Sequence, residues 1–236
     1  MGFTQRTEML LGDEAIEKLS RSTVAVFGLG GVGGACFEAL LRMGVGTIHV
    51  IDADRFNESN LNRQILSTRD ELGQLKVEAA IRRAAAINPE AKIIPHPIFF
   101  LPDSEGDVPF GSLDFVVDAI DTVAAKVQII QRCEELGVPM VSCLGCGNRL
   151  DPSKLILTDL FKTEGDPLAK VLRKKCRDLG IKKLRVVCST EEPMKPRFQV
   201  ASDSPSRRDV PGSAAFVPPA AGYLLAYEAV RQLLNL

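Results

Sequence analysis

The sequence contains no run of about 18 uncharged apolar residues, so no membrane span is expected. Residues 1–20 hold no long apolar core, which predicts no secretory signal and a cytoplasmic location. Histidine is scarce, at two residues. His49 falls inside an apolar strand pattern and His96 lies between prolines, so a core or surface place fits both better than catalysis. The six cysteines are irregularly spaced, with one Cys-X-X-Cys pair, Cys143 and Cys146. A tetrahedral structural zinc site needs four ligands, and Cys176 and Cys188 lack the spacing of a second pair. No zinc is expected, and the cysteines read as small, buried, reduced thiols. The net charge of −1 gives no overall field that would draw a polyanion, and no internal repeat is visible.

What is present points to one large domain, or one domain with an insert. The chain has 236 residues, 45% of them hydrophobic, enough for a substantial core. Charge is uneven: residues 151–208 hold 14 Lys and Arg against 8 Asp and Glu, leaving the remainder acidic. Such asymmetry can mark an interaction surface.

Apolar patterning predicts helices at 12–20, 31–43, 74–87 and 123–136, and strands at 23–27, 47–51, 92–96, 113–120 and 138–142. Strands alternating with helices imply an α/β fold with a doubly wound, mostly parallel, Rossmann-like sheet. Residues 1–150 read as its nucleotide-binding core. Residues 151–236 read as a C-terminal α/β extension within the same domain. There, strands are expected at 154–158 and 185–188. A helix starts at Asp166-Pro167, an N-cap followed by proline at the first position. Its apolar positions include Leu168, Val171, Leu172 and Leu179, while Lys170, Arg173, Lys174 and Arg177 take the opposite face. Residues 190–212 read as a mobile loop, and 220–236 as a buried or interface helix.

The chemistry is concentrated near the start. Val24-Ala-Val-Phe-Gly28-Leu-Gly30-Gly31-Val-Gly33 is a strand, a glycine turn and a helix opening, with the acid Asp52 19 residues after Gly33. A helix N-terminus binds phosphate, and the acid takes ribose hydroxyls. This much fits NAD as well as ATP. The polar string that follows does not suit NAD: Asn60, Arg63 and Gln64, then Lys76. A reacting ATP develops charge on its α-phosphate and leaving pyrophosphate, which calls for fixed cations. Asp118 and Asp121 end the strand predicted at 113–120, where a carboxylate can hold Mg²⁺ against phosphate oxygens.

Gly28-Leu-Gly-Gly-Val-Gly33, Asp52-Ala-Asp54, Ser59-Asn-Leu-Asn-Arg-Gln64, Gly73-Gln-Leu-Lys76 and Asp121 together resemble the adenylating domain of the ubiquitin-activating-enzyme (ThiF-type) superfamily. The likeness implies that Gly31 and Asp52 touch ATP. It implies that Asn60, Arg63 and Lys76 grip the phosphates and that Asp121 holds Mg²⁺. Arg6 matches an arginine that in such enzymes reaches into the partner subunit's site, which implies a homodimer. The family often shows Asp-Asn at the Mg²⁺ position, whereas Thr122 follows Asp121 here.

Activators of ubiquitin-like sulfur carriers usually carry two Cys-X-X-Cys pairs, and this chain has one. Asp151-Pro-Ser-Lys, Leu157-Thr-Asp-Leu, Asp166-Pro-Leu-Ala-Lys170, Val187-Cys-Ser-Thr-Glu191 and Pro211-Gly-Ser-Ala instead resemble the tRNA threonylcarbamoyladenosine dehydratases, another branch of the superfamily. That likeness implies ATP-dependent cyclisation of the threonylcarbamoyl group through a carboxyl-adenylate, releasing AMP and pyrophosphate. Arg63, Lys76, Asp121 and Arg6 would serve the reaction. The basic helix fits a tRNA backbone, because residues 170–185 hold eight Lys or Arg and one Asp. Three alternatives stay open: adenylation of a ubiquitin-like sulfur-carrier C-terminus, an NAD-dependent oxidoreductase, and a non-enzymatic tRNA-binding partner of a sulfur-relay complex. A cysteine-desulfurase system is conceivable as a partner, though no residue points to it.

Overall fold

The computed structural model describes residues 2–101, 107–200 and 210–236. The chain opens with two short helices, α1 (Gln5–Leu11) and α2 (Asp13–Arg21). The parallel β1 (Thr23–Phe27), α3 (Gly31–Arg42), β2 (Thr47–Ile51), α4 (Lys76–Ile87) and β3 (Lys92–His96) follow. Next come β4 (Phe115–Asp118), α5 (Val123–Leu136) and β5 (Met140–Cys143). The chain ends with β6 (Leu155–Asp159), α6 (Pro167–Asp178), β7 (Arg185–Ser189) and α7 (Val217–Leu234).

All seven strands join one sheet in the order β3-β2-β1-β4-β5-β7-β6. Every pairing is parallel except β6 with β7. β6 and β7, from the C-terminal part of the chain, therefore extend the same sheet. The strand order reverses at β1 and β4, the place where open α/β sheets leave a crevice at their carboxyl edges.

β1 and β4 are almost wholly buried, which matches their near-continuous apolar runs. One face of the sheet carries α3, α4 and α7 over a core that includes Phe37, Leu40, Ile48 and Leu225. The other face holds Phe27 against Phe100 and Phe110, at centroid distances of 4.9 and 5.5 Å, with α5 above them. The contact between α3 and α7 is backbone to backbone. A Cβ on Gly222 would lie 2.2 Å from the Val32 carbonyl oxygen, so only glycine fits there.

Several boundaries differ from the sequence pattern for local reasons. α1 was not expected: seven residues are too few to show a period, and Gly12, at φ +85°, separates it from α2. The helix expected from 74 starts at Lys76, because Leu75 pairs in extended conformation with Arg55. The strand expected over 113–120 is only Phe115–Asp118. Before it, the Asp114 carboxylate accepts from the Thr23 amide at 2.7 Å and so fixes the start of β1. α7 begins at Val217, three residues before the expected 220, with prolines in its first turn. In the 190–212 segment, residues 190–200 and 210–212 form no helix or strand, and residues 201–209 lie outside the described residues. The described ends are anchored: the Met194 amide donates to the Asn148 carbonyl, and the Val210 amide to that of Val200.

Candidate active site

A cleft of about 820 Å³ opens at the carboxyl edges of β1, β2, β4 and β5. Gly28, Gly30, Gly31, Asp52, Asn60, Arg63, Gln64, Lys76 and Asp121 all line it. Residues as far apart in sequence as Gly28 and Asp121 thus face one space.

The glycines divide into two kinds. Gly28 has φ +88°, and a Cβ there would lie 2.8 Å from the Ala119 carbonyl oxygen, so it lets β1 turn beside β4. Gly33, expected to bind the nucleotide, does not line the cleft; its Cβ would fall 1.7 Å from the Gly28 carbonyl oxygen. It packs the helix against the turn. Gly30 and Gly31 face the cleft at the start of α3. Gly30 is the N-cap and has no side chain to bond the first amides, which leaves helix N–H groups for an anion.

Asp52 opens the loop after β2. Its carboxylate accepts from the Leu29 and Asp54 amides, at 2.7 and 2.8 Å. Burial pushes this carboxyl above its ordinary value, against the opposing pull of Lys76 and the two amides. The Lys76 ammonium, at the first residue of α4, lies 2.8 Å from Asp54 and 3.5 Å from Asp52. Asn60 and Asn57 cap each other reciprocally across a 3₁₀ turn, Glu58–Asn60. This turn presents Arg63, whose guanidinium bonds the Ser59 carbonyl and the Asn62 side chain at 2.8 and 2.9 Å. Partial burial draws its pKa down, and no carboxylate offsets that. Gln64 is buried, and its Oε1 has no hydrogen-bond partner among the described residues. A buried orphan acceptor in a cleft wall marks a place for a polar ligand or an ordered water.

The two aspartates after β4 part company. Asp121 is exposed at the cleft mouth. Asp118 is fully buried and does not reach the cleft. It accepts from Lys126 at 2.9 Å and from the Ser142 hydroxyl. Lys126 also donates to the Cys143 carbonyl at 2.7 Å. This network was not read from the sequence; the signal was Lys126 at the end of the first turn of α5, where an apolar residue would normally face the sheet.

Further residues enter from afar. Asn148, at φ +59°, receives the Gly212 amide on its side chain at 2.7 Å and donates its own amide to the Gly212 carbonyl. It thereby holds Val210–Ser213 as a wall of the cleft. Asparagine tolerates left-handed backbone better than most residues, which the sequence hinted at but did not specify. Cys143 and Cys146 also line the cleft rather than lying away from it.

The basic helix α6 is capped by Asp166, which accepts from the Ala169 amide at 2.9 Å and lies 3.7 Å from buried Arg149. Lys170, Lys174 and Arg177 are exposed. Arg173 is not: it is half buried and bonds the Thr163 carbonyl at 2.8 Å as well as the Thr163 hydroxyl. Its charge is committed within the protein because the turn before α6 needs a donor. Arg177 lies over the Phe161 ring, 5.6 Å from its centroid. Arg6 is exposed on α1 and does not line the cleft of its own chain.

Among known proteins, the ThiF family matches residues 4–235. The tRNA threonylcarbamoyladenosine dehydratase of Bacillus subtilis (strain 168) is 38% identical over 98% of this chain and 94% of its own length. That of Escherichia coli (strain K12) is 33% identical over 97% of this chain and 92% of its own. The crystal structure of the E. coli enzyme, TcdA, in complex with ATP superposes with a TM-score of 0.88. Its identity is 33%, with 98% of this chain and 93% of that one covered. E. coli MccB with ATP, at 18% identity and a TM-score of 0.69, shares the fold. The chain belongs to the ThiF family, and within it to the group of the tRNA threonylcarbamoyladenosine dehydratases.

Proposed function

We propose that this protein is an ATP-dependent tRNA threonylcarbamoyladenosine dehydratase that works through a carboxyl-adenylate. The observation that carries this reading is the convergence of an uncapped helix N-terminus, Arg63, Lys76 and the orphan Gln64 acceptor on one cleft. It is joined to 38% identity with a relative of that name over nearly the whole chain.

In this reading the α3 amides and Asn60 hold the phosphates, and Asp52 holds the ribose. The threonyl carboxylate attacks the α-phosphate, forming a carboxyl–phosphate bond while the bond to pyrophosphate breaks. Arg63 and Lys76 stabilise the charge that develops on the phosphates as pyrophosphate leaves. A nucleophile of the same side group then attacks the activated carbonyl, closes a ring and releases AMP and a proton. Its proximity makes that step fast once the carboxylate is activated. The net change in the nucleoside is the loss of one water. No cysteine takes part.

Mg²⁺ suits the donor set at the mouth. Asp121 offers one hard carboxylate, and no group of three or more His, Cys, Asp or Glu among the described residues would enclose a cation without the nucleotide. An ion carried by phosphate and one carboxylate is what Mg²⁺ favours; it would neutralise charge on the phosphates. Arg6 points to a homodimer in which each copy supplies this residue to the other's cleft. The tRNA backbone would lie along α6, on Lys170, Lys174 and Arg177. Six free thiols fit a reducing, cytoplasmic place of action.

The test is mass spectrometry of nucleosides after incubation with ATP, Mg²⁺ and threonylcarbamoyladenosine-bearing tRNA. Loss of one water from that nucleoside, with AMP formed, is expected. An unchanged nucleoside, with ATP bound by the protein, would overturn the reading in favour of a protein carboxylate as the acceptor. ADP in place of AMP would overturn the adenylate.

A further inference from the structure

The chemistry above leaves one reactive cluster of the cleft unused. β5 ends at Cys143, and the chain turns through Leu144 and Gly145 to Cys146 and Gly147, all in the cleft wall. The two sulfurs are 3.5 Å apart. Both turn toward a single acceptor, the Leu144 carbonyl oxygen, at 3.2 Å from Cys143 and 3.6 Å from Cys146. They are therefore on the same side of the turn, facing each other.

The surroundings make the pair unlike the other thiols. The Cys143 thiol bonds to Cys146, which raises Cys143 and lowers Cys146; Arg149 and Lys126 lower Cys146 further, while burial opposes them. Cys146 is thus the sulfur that ionises more readily, and Cys143 keeps its proton. Burial pushes Cys133 up to about 12 and Cys176 and Cys188 up to about 11. Cys36 is raised as well, also by burial. Thiolate, not thiol, reacts with oxidants, so these four are the inert background.

We propose that Cys143 and Cys146 form a peroxide-sensitive dithiol, and that its disulfide reshapes the wall of the nucleotide cleft. The steps balance with hydrogen peroxide as the oxidant. The Cys146 thiolate attacks one peroxide oxygen and the O–O bond breaks. The departing hydroxide takes up the proton that Cys146 released and leaves as water, so Cys146 becomes a sulfenic acid. The Cys143 sulfur then attacks the Cys146 sulfur, the S–O bond breaks, and hydroxide leaves with the Cys143 proton as a second water. Two thiols are oxidised by one electron each, and one peroxide is reduced by two.

The consequence is mechanical. A disulfide needs its sulfurs at about 2.05 Å, well inside the present 3.5 Å. Lys126 holds the Cys143 carbonyl from behind, so the displacement falls on residues 144–147, where Gly145 gives the backbone freedom. That turn has no slack on its far side. A Cβ on Gly147 would lie 2.8 Å from the Cβ of Pro211. Shortening the turn therefore moves the 211–212 wall relative to Gly30 and Gly31.

The experiment treats the full chain with graded hydrogen peroxide. Thiols are counted under denaturing conditions and peptides are mapped by mass. Expected are the loss of two thiols, a mass lower by two hydrogen atoms, a Cys143–Cys146 crosslink and full reversal by dithiothreitol. Six thiols remaining, oxygen added at either sulfur without a crosslink, or a bridge to Cys188 would each overturn the proposal. The Cys146→Ser chain is expected to keep all its remaining thiols under the same dose. Should that variant not fold, the native chain's crosslink map decides alone. A second arm measures ATP affinity before and after oxidation and rests on the reading of the cleft above, which the reduced protein tests by itself. A roughly tenfold or greater loss that dithiothreitol restores is expected. A crosslinked protein with unchanged affinity would overturn the effect on the cleft.

Discussion

Two lysines sit beside aspartates at strand ends of the same sheet edge, and they do different work. Lys126 has its three N–H groups taken by Asp118, Ser142 and the Cys143 carbonyl, and its side chain is 1% exposed. An ammonium has three donors, so nothing remains for a ligand. Lys76 is also buried, at 6%, but one partner, Asp54, is 53% exposed and the other, Asp52, is at 3.5 Å. It also lines the cleft. Burial alone does not mark a functional charge; the unfilled donor capacity next to a cavity does.

The comparison can be broken most directly at Lys126. Lys126→Met leaves the Asp118 carboxylate buried without its cation, which is expected to cost about 3–5 kcal/mol of stability. Urea denaturation measures it, and an unchanged midpoint would show that the network holds nothing together. Lys76→Met should do the reverse. Adenylate formation, followed as pyrophosphate release, is expected to fall by about 10²–10³. Stability should drop by only about 1–2 kcal/mol, since Asp54 meets water and Asp52 can take up a proton. Equal stability losses in the two variants would erase the distinction between them.

Glu228 sharpens the point from a third buried ion cluster. Burial by itself would raise its carboxyl, but Arg231, Gln232 and Arg185 outweigh that and hold it at about 2, below its ordinary 4.5. Its contribution to stability is therefore fully present above pH 4.5 and is lost as pH falls toward 2. The denaturation midpoint of the native chain should decline through that window, and that of Glu228→Gln should decline less. Parallel curves would mean that the cluster does not drive the change.

The smallest effect concerns the surface. Lys170→Glu combined with Lys174→Glu is expected to weaken tRNA binding about tenfold at fixed salt, with ATP binding unchanged. Arg173→Ala should instead cost about 1 kcal/mol of stability through its lost bonds to Thr163. Filter binding and thermal melting separate the two. Loss of ATP binding in the lysine pair would indicate misfolding rather than a lost docking face.

The half of the cleft built from the glycine turn was legible because its residues sit on one strand–turn–helix unit and the polar loop after it. There, sequence spacing is nearly spatial spacing. Gly28, Asp52, Arg63 and Lys76 were placed in this way. Gly33 does not line the cleft as expected, since a glycine in such a motif can serve helix packing as well as a phosphate, and only the closeness of the Gly28 carbonyl, 1.7 Å from where a Cβ on Gly33 would lie, tells which. Arg173 was grouped with its neighbours by helical period, but its half-buried position follows from Thr163 on a preceding turn, which periodicity does not see. Lys126, Asn148 and the Val210–Ser213 wall were missed for the same reason: each acts on residues distant in sequence.

The sequence by itself determined the alternation of strands and helices, the glycine turn between β1 and α3 and the family likeness, because these are local patterns of apolar period, backbone freedom and charge. Only the tertiary structure decided which charges are spent inside the protein and which face the cleft. It alone set Asp118 apart from Asp121, Lys126 from Lys76, and brought two sulfurs within reach of each other in the wall. The physical reason is that the worth of a polar group depends on what fills its remaining hydrogen bonds, and that is settled by neighbours the chain brings together only when it folds.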